Sequence, residues 1–189
     1  MTRGTWFVCN LKLPGFLHEE IAFMEQAILS FRPDFIGEWG TNRGSSARIL
    51  YELARINDIS TDVHTVELPA SKAHLGSEHP GGKVGEFIRD CEVTMHEGDG
   101  APVCIDWYSQ SQADRPFFFV DGNHEAENVL RELKLLYFSA PEAVLLLHDT
   151  NGPPGDAIRA FFEQFPKKYD CEVLIDGPGM TKLTPYAKN

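Results

Sequence analysis

Positive charge is scarce in this sequence. Lysine and arginine total 17 residues against 28 aspartates and glutamates, which gives a formal net charge of −11 at pH 7. A surface with this balance repels the phosphate backbone of nucleic acids. We therefore expect no nucleic-acid partner.

Long hydrophobic runs are also missing. Residues 1–16 contain no apolar stretch of signal-peptide length. No later segment approaches the roughly 20 apolar residues that a membrane span needs. We expect no membrane association and a cytoplasmic location.

Cysteines are few and widely spaced, at positions 9, 91, 104 and 171. They form no Cys-x-x-Cys pair and no cluster with histidines of the kind that binds structural zinc. The sequence therefore predicts free thiols, and we expect them to be buried.

What the sequence does contain is a regular alternation of short apolar runs with segments of helical period. Its 189 residues suffice for one domain with a substantial core. The alternation predicts an α/β fold, with a parallel sheet and helices on both faces. The predicted strands are 34–39, 62–68, 92–96, 116–120, 143–147 and 171–175.

The two ends of the chain depart from this alternation. An apolar stripe predicts a helix over His18–Phe31, so we expect residues 1–33 to pack on the core as an N-terminal segment and residues 34–189 to form the main domain. A glycine-rich turn at 176–179 joins strand 171–175 to 181–186 with no room for a helix. This end predicts an antiparallel hairpin on a mostly parallel sheet.

The first chemical signal is a glycine turn between the first predicted strand and the following helix. Gly40 and Gly44 have the spacing G-x-x-x-G, with Thr41 inside the turn and Ser46 just after it. Glycine admits backbone conformations denied to other residues, and the amides at a helix start suit a carboxylate. The spacing differs from that of dinucleotide-binding and phosphate-binding loops.

Acidic residues end the next two predicted strands. Glu67 comes 23 residues after Gly44, where a carboxylate can accept both hydroxyls of a ribose. Gly98 and Asp99 end the third strand, on the side where an adenine edge would lie. Three strand ends are thus expected to converge on one nucleoside-containing ligand.

These motifs resemble those of S-adenosylmethionine-dependent methyltransferases, in particular the group of cephalosporin-hydroxylase-like and macrolide sugar O-methyltransferases. The resemblance covers about residues 34–150 and implies a Rossmann-like methyltransferase fold for 34–189. Its motifs are Glu38-x-Gly40-x-x-x-Gly44-x-Ser46, Glu67, Gly98-Asp99, Val120-Asp121-Gly122-Asn123-His124 and His148-Asp149-Thr150.

The resemblance implies a cofactor role for several of these residues. Glu38 and the loop 40–46, with Thr41, Gly44 and Ser46, would hold the methionine moiety of S-adenosylmethionine. Glu67 would bind the ribose, and Gly98 and Asp99 the adenine side. Asp121 would also border the cofactor.

A divalent cation is implied as well. In the resembling enzymes, acids at the positions of Asp121 and Asp149 bind a cation that orients the acceptor hydroxyl and lowers its pKa. Position 148 carries histidine where magnesium-dependent relatives carry a carboxylate, and imidazole is a poor ligand for magnesium. Either Asp121, His148 and Asp149 bind manganese, iron, cobalt or zinc over magnesium, or no metal binds and His148 acts by hydrogen bonding or proton transfer.

His124 matches the residue that some relatives use as a general base. An imidazole with a pKa near 6.5 can take a hydroxyl proton at neutral pH. Asp121, His124 and His148 form the predicted catalytic set. The resemblance implies a small-molecule acceptor such as a hydroxylated natural product or sugar, with oxygen favoured over nitrogen, and leaves a homo-oligomer open.

Three alternatives compete. A calcineurin-like metal-dependent phosphoesterase has motifs in a similar order, but Asp62 begins its strand and no Gly-x-His-x-His follows. An NAD-linked oxidoreductase needs a different glycine spacing. A non-catalytic module that binds S-adenosylmethionine stays open, and turnover alone would separate it from an enzyme.

Other residues invite a functional interpretation. The loop 71–85 is expected near the cofactor side, where loops often carry binding contacts. We expect Trp6, Phe7 and Phe16 to pack in the core rather than to cover an acceptor pocket. Five histidines show no mutual spacing typical of a site and are expected on the surface or in loops: His18, His64, His74, His79 and His96.

Overall fold

A seven-stranded sheet organises the chain in the computed structural model, which describes residues 2–69 and 83–186. The order across the sheet is β3-β2-β1-β4-β5-β7-β6, with β1 to β5 parallel and β7 antiparallel to both of its neighbours. The predicted fold class, a mostly parallel sheet with a C-terminal antiparallel hairpin, is confirmed. The strands are β1 (Phe35–Trp39), β2 (Asp62–Glu67), β3 (Val93–Glu97), β4 (Pro116–Val120), β5 (Val144–His148), β6 (Tyr169–Leu174) and β7 (Met180–Pro185).

Helices cover both faces of the sheet. Helices α1, α2 and α3 share one apolar cluster with the sheet, and α4, α5 and α6 share the other. A 3₁₀ turn at Glu86–Ile88 precedes β3. Within the described residues the α-helices are α1 (Arg3–Asn10), α2 (His18–Phe31), α3 (Ser45–Ile56), α4 (Gly100–Gln110), α5 (Ala126–Ser139) and α6 (Pro153–Gln164).

Strand β4 shows why its sequence is continuously apolar. Phe117 and Phe119 lie in the cluster with α1 to α3, whereas Phe118 lies in the cluster with α4 to α6, and all three are fully buried. Successive strand residues point to opposite faces, so a strand covered on both sides has no polar position. Burying each of these rings stabilises the fold by about 1.5–3 kcal/mol relative to exposure.

The N-terminal segment packs on the sheet through α2. Ile21, Met24 and Ile28 are buried in the cluster with α3 and the sheet. Arg32, in the left-handed conformation, ends the helix and donates its amide to the carbonyl of Ile28. This segment shares its core with the main sheet, and a domain division at residue 33 stays a prediction.

Several strand limits differ by one or two residues from the predicted ones. Strand β5 covers Val144–His148 rather than 143–147, and β6 covers Tyr169–Leu174 rather than 171–175. Backbone pairing between neighbouring strands continues past the apolar segments of the sequence. His148, for example, pairs with Met180 of β7. Residues 71–82 of the predicted binding loop lie outside the described part of the chain.

The cysteines are free, as predicted, but only Cys104 is buried. Cys171 is exposed because β6 is the edge strand of the sheet. The core prediction for Trp6 is also wrong, since 59% of this residue is exposed, whereas Phe7 and Phe16 do pack against the core.

His64 and His96 form a pair that their sequence separation conceals. Nδ1 of His64 lies 2.9 Å from Nε2 of His96, and both rings stack with Trp107. Both residues are half-buried within β2 and β3, so the expectation of a surface or loop position is wrong for these two histidines. Parallel pairing of β2 with β3 brings them together.

Among residues 2–69 and 83–186, no helix is long and apolar enough to cross a membrane.

Candidate functional site

The candidate site lies at the carboxyl ends of β1, β2, β4 and β5, the edge at which open α/β sheets bind ligands. Gly40 follows β1 with φ +91°, and a Cβ atom added there would lie 2.2 Å from the carbonyl oxygen of Asp121. Only glycine permits both this conformation and this approach. The turn after β1 thus directly contacts the end of β4.

Glu38 is connected to the glycine turn through the hydroxyl groups of two threonines. Thr41 and Thr65 are linked through their hydroxyls at 2.6 Å, and Thr65 donates to one carboxylate oxygen of Glu38. Glu38 is fully buried, and its other oxygen has no hydrogen-bond partner within the described residues. Burial raises the pKa of Glu38 to about 7. Its carboxyl therefore lies beneath the loop rather than on its surface.

Gly44 and Ser46 begin helix α3. Gly44 has φ +87° and immediately precedes the first residue of the helix. Ile88 occupies the space where a side chain at position 44 would lie, since its Cγ2 is 3.0 Å from an added Cβ. Ser46 is buried in the first turn of α3. The 3₁₀ turn before β3 thus packs against the predicted cofactor loop.

Glu67 and Asp99 stand on the neighbouring ends of β2 and β3. The carboxylate of Glu67 accepts a 2.6 Å hydrogen bond from the amide of Asn42, so it contacts the glycine turn. The amide of Gly98 donates to the carbonyl of Glu67 at 3.0 Å, which holds the two strand ends together. Asp99 is exposed. Both carboxylates lie open on the same edge of the sheet as the loop.

An acid–histidine cluster follows β4 and β5. Nδ1 of His148 lies 3.2 Å from Asp121 Oδ1 and 3.6 Å from Asp149 Oδ2. His124 reaches the same two acids, with Nδ1 2.9 Å from Asp149 Oδ2 and Nε2 3.5 Å from Asp121 Oδ1. The structure brings together all four residues that the sequence proposed for catalysis and metal binding.

The electrostatics of this cluster favour protonated imidazoles. Hydrogen bonds to Asp121 and Asp149 raise the pKa of His124 to about 10. Burial lowers the pKa of His148, but Asp121, Asp149 and Glu20 outweigh it and raise that pKa to about 9. The hydrogen bond with His124 lowers the pKa of Asp149. At neutral pH, both imidazoles are therefore mainly protonated while both acids are free to pair with them.

Cation binding is compatible with the donor set. One ligand atom each from Asp121, His148 and Asp149 lie within 4.8 Å of one another. Asp149 has φ +56°, an uncommon conformation outside glycine. Two carboxylates and one imidazole form a set that suits manganese, iron, cobalt or zinc better than magnesium.

Glu20 was missed by the sequence interpretation. It is fully buried in the first turn of α2, and its Oε1 lies 2.9 Å from Nε2 of His148. The ring of Phe16 lies against the same imidazole, with centroids 5.1 Å apart. Acids are common in the first turn of any helix, so the sequence offered no signal that set Glu20 apart.

Comparison with known proteins identifies the class. The model of a family described as a methyltransferase domain matches residues 38–150, more than half of the chain. The chain therefore belongs to this methyltransferase family, and the resemblance drawn from the sequence motifs is confirmed. No curated protein matches the chain in sequence.

Solved structures of methyltransferases share the fold. The S-adenosylhomocysteine-bound methyltransferase PaMTH1 of Podospora anserina is 16% identical with a TM-score of 0.62, over 100% of this chain and 89% of that one. An O-methyltransferase of Bacillus cereus in complex with S-adenosylhomocysteine is 18% identical with a TM-score of 0.60, over 98% and 91% of the chains. The O-methyltransferase TomG of Streptomyces achromogenes, in complex with S-adenosylmethionine, is 16% identical with a TM-score of 0.59, over 98% and 90%.

Proposed function

We propose that the chain transfers the methyl group of S-adenosylmethionine to an oxygen atom of a small hydroxylated molecule. The observation that carries the proposal is the contact between Gly40 and Asp121. It places the glycine turn directly beside the acid–histidine cluster, so a cofactor held by the one would meet an acceptor held by the other. Membership in the methyltransferase family and the cofactors bound to its structural neighbours support the assignment.

The cofactor would be held by the loop 40–46 and the acids beside it. Glu67 would accept the ribose hydroxyls, and Asp99 would face the adenine side. One buried carboxylate oxygen of Glu38 has no well-formed hydrogen bond among the described residues, although the Ser46 side chain is close enough to lower the pKa of this carboxyl. Such groups are costly to leave unpaired, and a cofactor amino group reached through the loop would remove that cost.

His124 is the group that removes the proton of the acceptor hydroxyl. In its neutral form the imidazole would accept the hydroxyl proton, and bound S-adenosylmethionine would supply its methyl group to the oxygen, with the carbon–sulfur electron pair left on sulfur. The products are a methyl ether, S-adenosylhomocysteine and a protonated His124. The His124 side chain is 49% exposed, so its proton can pass to solvent before the next turnover. Holding both reactants in line supplies the remaining rate enhancement.

Metal assistance is the second part of the proposal. Asp121, His148 and Asp149 would hold the cation, and a bound cation would lower the pKa of the acceptor hydroxyl. Asp121 and Asp149 are also the groups that raise the pKa of His124. A cation bound to Asp121 and Asp149 would weaken their hydrogen bonds to His124 and would lower the pKa of His124 toward its ordinary value.

Cofactor binding is tested by calorimetry. We expect micromolar affinity for S-adenosylmethionine or S-adenosylhomocysteine, about −8 kcal/mol. Glu67→Ala should weaken it by about 1.5–3 kcal/mol, because hydrogen bonds to a charged acceptor are lost. Glu92→Ala, an exposed acid just before the opposite end of β3, is the matched control. Binding of NADH and of neither methionine cofactor would contradict the proposal.

Turnover is tested by formation of S-adenosylhomocysteine with hydroxylated sugars, phenols and macrolide-like natural products, with and without divalent cations. His124→Gln should keep cofactor affinity and lower the rate by roughly 10²–10⁴-fold. An equal loss of cofactor affinity would indicate a structural role for His124. Binding without turnover on any acceptor would favour the non-catalytic module.

A further inference from the structure

We propose that Glu20 is a positioning residue that fixes the orientation of the His148 ring. The inference rests on the acid–histidine site of the proposed function and adds a residue from the N-terminal segment. In this arrangement Nε2 of His148 contacts Glu20, and Nδ1 is the nitrogen that would contact the cation or the acceptor.

Both carboxylate oxygens of Glu20 have hydrogen-bond partners. Oε1 lies 2.9 Å from Nε2 of His148, and Oε2 accepts the amide of Leu17 at 2.8 Å. A carboxylate oxygen accepts from a ring N–H, so the contact with Glu20 fits a hydrogen on Nε2. Nδ1 faces the acids of the site, 3.2 Å from Asp121 and 3.6 Å from Asp149. A cation held by these acids would take the lone pair of Nδ1 and leave the ring hydrogen on Nε2. Glu20 thus holds Nε2 and turns Nδ1 toward the site.

Packing holds this arrangement in place. The rings of Phe16 and Phe119 lie against His148, with centroid distances of 5.1 and 6.2 Å. Leu17, before α2, contacts the turn between β6 and β7, since a Cβ added to Gly177 would lie 2.5 Å from Leu17 Cδ1. The beginning of α2 is therefore fixed between β5 and the C-terminal hairpin, and Glu20 has little freedom to turn away.

A carboxylate behind a histidine ligand has a known physical effect. It fixes the tautomer, orients the ring and raises the basicity of the opposite nitrogen, and its loss typically costs 10–100-fold in metal affinity. The N-terminal segment is then part of the site rather than only a cover for the sheet. Truncation before α2 would leave Glu20 intact, whereas loss of α2 would remove it.

Glu20→Gln gives the sharpest test. The Leu17 amide can only donate, so the glutamine oxygen stays with Leu17 and its NH₂ group faces Nε2 of His148. A donor at that position requires Nε2 to accept, which moves the ring proton to Nδ1. Glu20→Ala removes both contacts. Glu19→Gln makes the same charge change at the adjacent exposed position and is the matched control.

Three measurements are made on the full chain. Nitrogen NMR of ¹⁵N-histidine-labelled protein, with and without Zn²⁺, reports which ring nitrogen of His148 carries a hydrogen. Calorimetry and visible absorption with Co²⁺ report the cation site, and S-adenosylhomocysteine affinity reports the cofactor site. With Zn²⁺ bound, we expect the hydrogen on Nε2 in wild type and in Glu19→Gln. Without the ion, Glu20→Gln should carry it on Nδ1, which blocks that nitrogen as a ligand. We expect 10–100-fold weaker Co²⁺ binding in both Glu20 variants and unchanged cofactor affinity.

The outcomes separate this inference from the proposed function. A wild-type ring that binds Zn²⁺ through Nε2, or Co²⁺ affinity unchanged in both Glu20 variants, would overturn the role of Glu20. Wild type that binds no methionine cofactor would overturn the proposed function while the NMR result still decides on Glu20. If Glu20→Ala fails to fold, Glu20→Gln alone decides.

Discussion

His124 Nδ1 lies 2.9 Å from Asp149 Oδ2, and the other ring nitrogen lies 3.5 Å from Asp121 Oδ1. One imidazole therefore spans the acids that follow two different strands. With a pKa of about 10, the protonated ring stabilises the folded state. This contribution is fully present below the ordinary histidine pKa near 6.5 and is lost as the pH rises through about 10. Stability favours the protonated ring, whereas the proposed role of His124 as a base needs the neutral one.

Removing one of the two acids should shift the equilibrium between protonated and neutral His124. In Asp149→Asn the pKa of His124 is expected to fall toward its ordinary value, because one of the two hydrogen-bonded carboxylates that raise it is gone. An NMR titration of the imidazole measures the shift, and the rising limb of the methylation rate should move to lower pH with it. Asp156→Asn, an exposed acid of α6, should change neither. An unshifted titration would show that Asp149 does not control the proton.

Gly40 and Gly15 form a natural pair for separating backbone strain from steric conflict. Both have left-handed φ angles, +91° and +100°, but an added Cβ meets Asp121 at Gly40 and nothing within 4 Å at Gly15. Gly15→Ala should cost only the conformational penalty, about 1–2 kcal/mol. Gly40→Ala should cost more and also weaken cofactor binding, since β1 and β4 must separate.

Urea unfolding and S-adenosylhomocysteine calorimetry on both variants measure the difference. Equal loss of stability, with cofactor affinity intact in both, would mean that the close contact at Gly40 relaxes without effect on the site.

Glu25 links the first three helices through one buried carboxylate. Thr2 and Thr5 donate their hydroxyls, the Thr5 amide donates at 2.7 Å, and Asn57 of the segment after α3 donates at 3.3 Å. Burial opposes ionisation, but these hydrogen bonds outweigh it and lower the pKa of Glu25. The resulting stabilisation is present above the ordinary carboxyl pKa and is lost as the pH falls through the lowered one.

Replacing this carboxylate should therefore cost stability at neutral pH and less in acid. Glu25→Ala is expected to destabilise by about 1.5–3 kcal/mol at neutral pH, the value of hydrogen bonds to a charged group. Denaturant unfolding as a function of pH measures both effects. Gln26→Ala, at the exposed neighbouring position, should stay within about 0.5 kcal/mol of wild type. A loss for Glu25→Ala that is constant with pH would contradict an ionised role.

The sequence predicted the fold well where hydrophobic pattern alone decides it. Phe117 to Phe119 could be assigned to a doubly covered strand, and the glycine turn and Glu67 could be placed on one sheet edge, because parallel strands end on the same side. The limits of β5 and β6 were less accurate, since backbone pairing with β7 rather than apolar character ends them.

Long-range side-chain contacts were out of reach. Glu20 and His148 are 128 positions apart, and the pairing of His64 with His96 depends on the register of two strands. No local pattern encodes either contact. Likewise, the sequence placed an ordinary imidazole at His124, whereas its pKa depends on two acids that converge only in the folded chain.

The nitrogen of His148 makes cation preference a direct test of the metal hypothesis. Wild type is expected to bind Co²⁺ or Mn²⁺ more tightly than Mg²⁺, because imidazole suits these ions and Mg²⁺ prefers oxygen. His148→Gln replaces the nitrogen by an amide oxygen and should narrow the ratio of Co²⁺ to Mg²⁺ affinity, whereas Asp149→Asn should weaken both ions. Calorimetry with each ion measures the ratio. Methylation that survives exhaustive chelation, together with normal turnover by Asp149→Asn, would eliminate the cation and leave His124 and His148 as the groups that handle the acceptor proton.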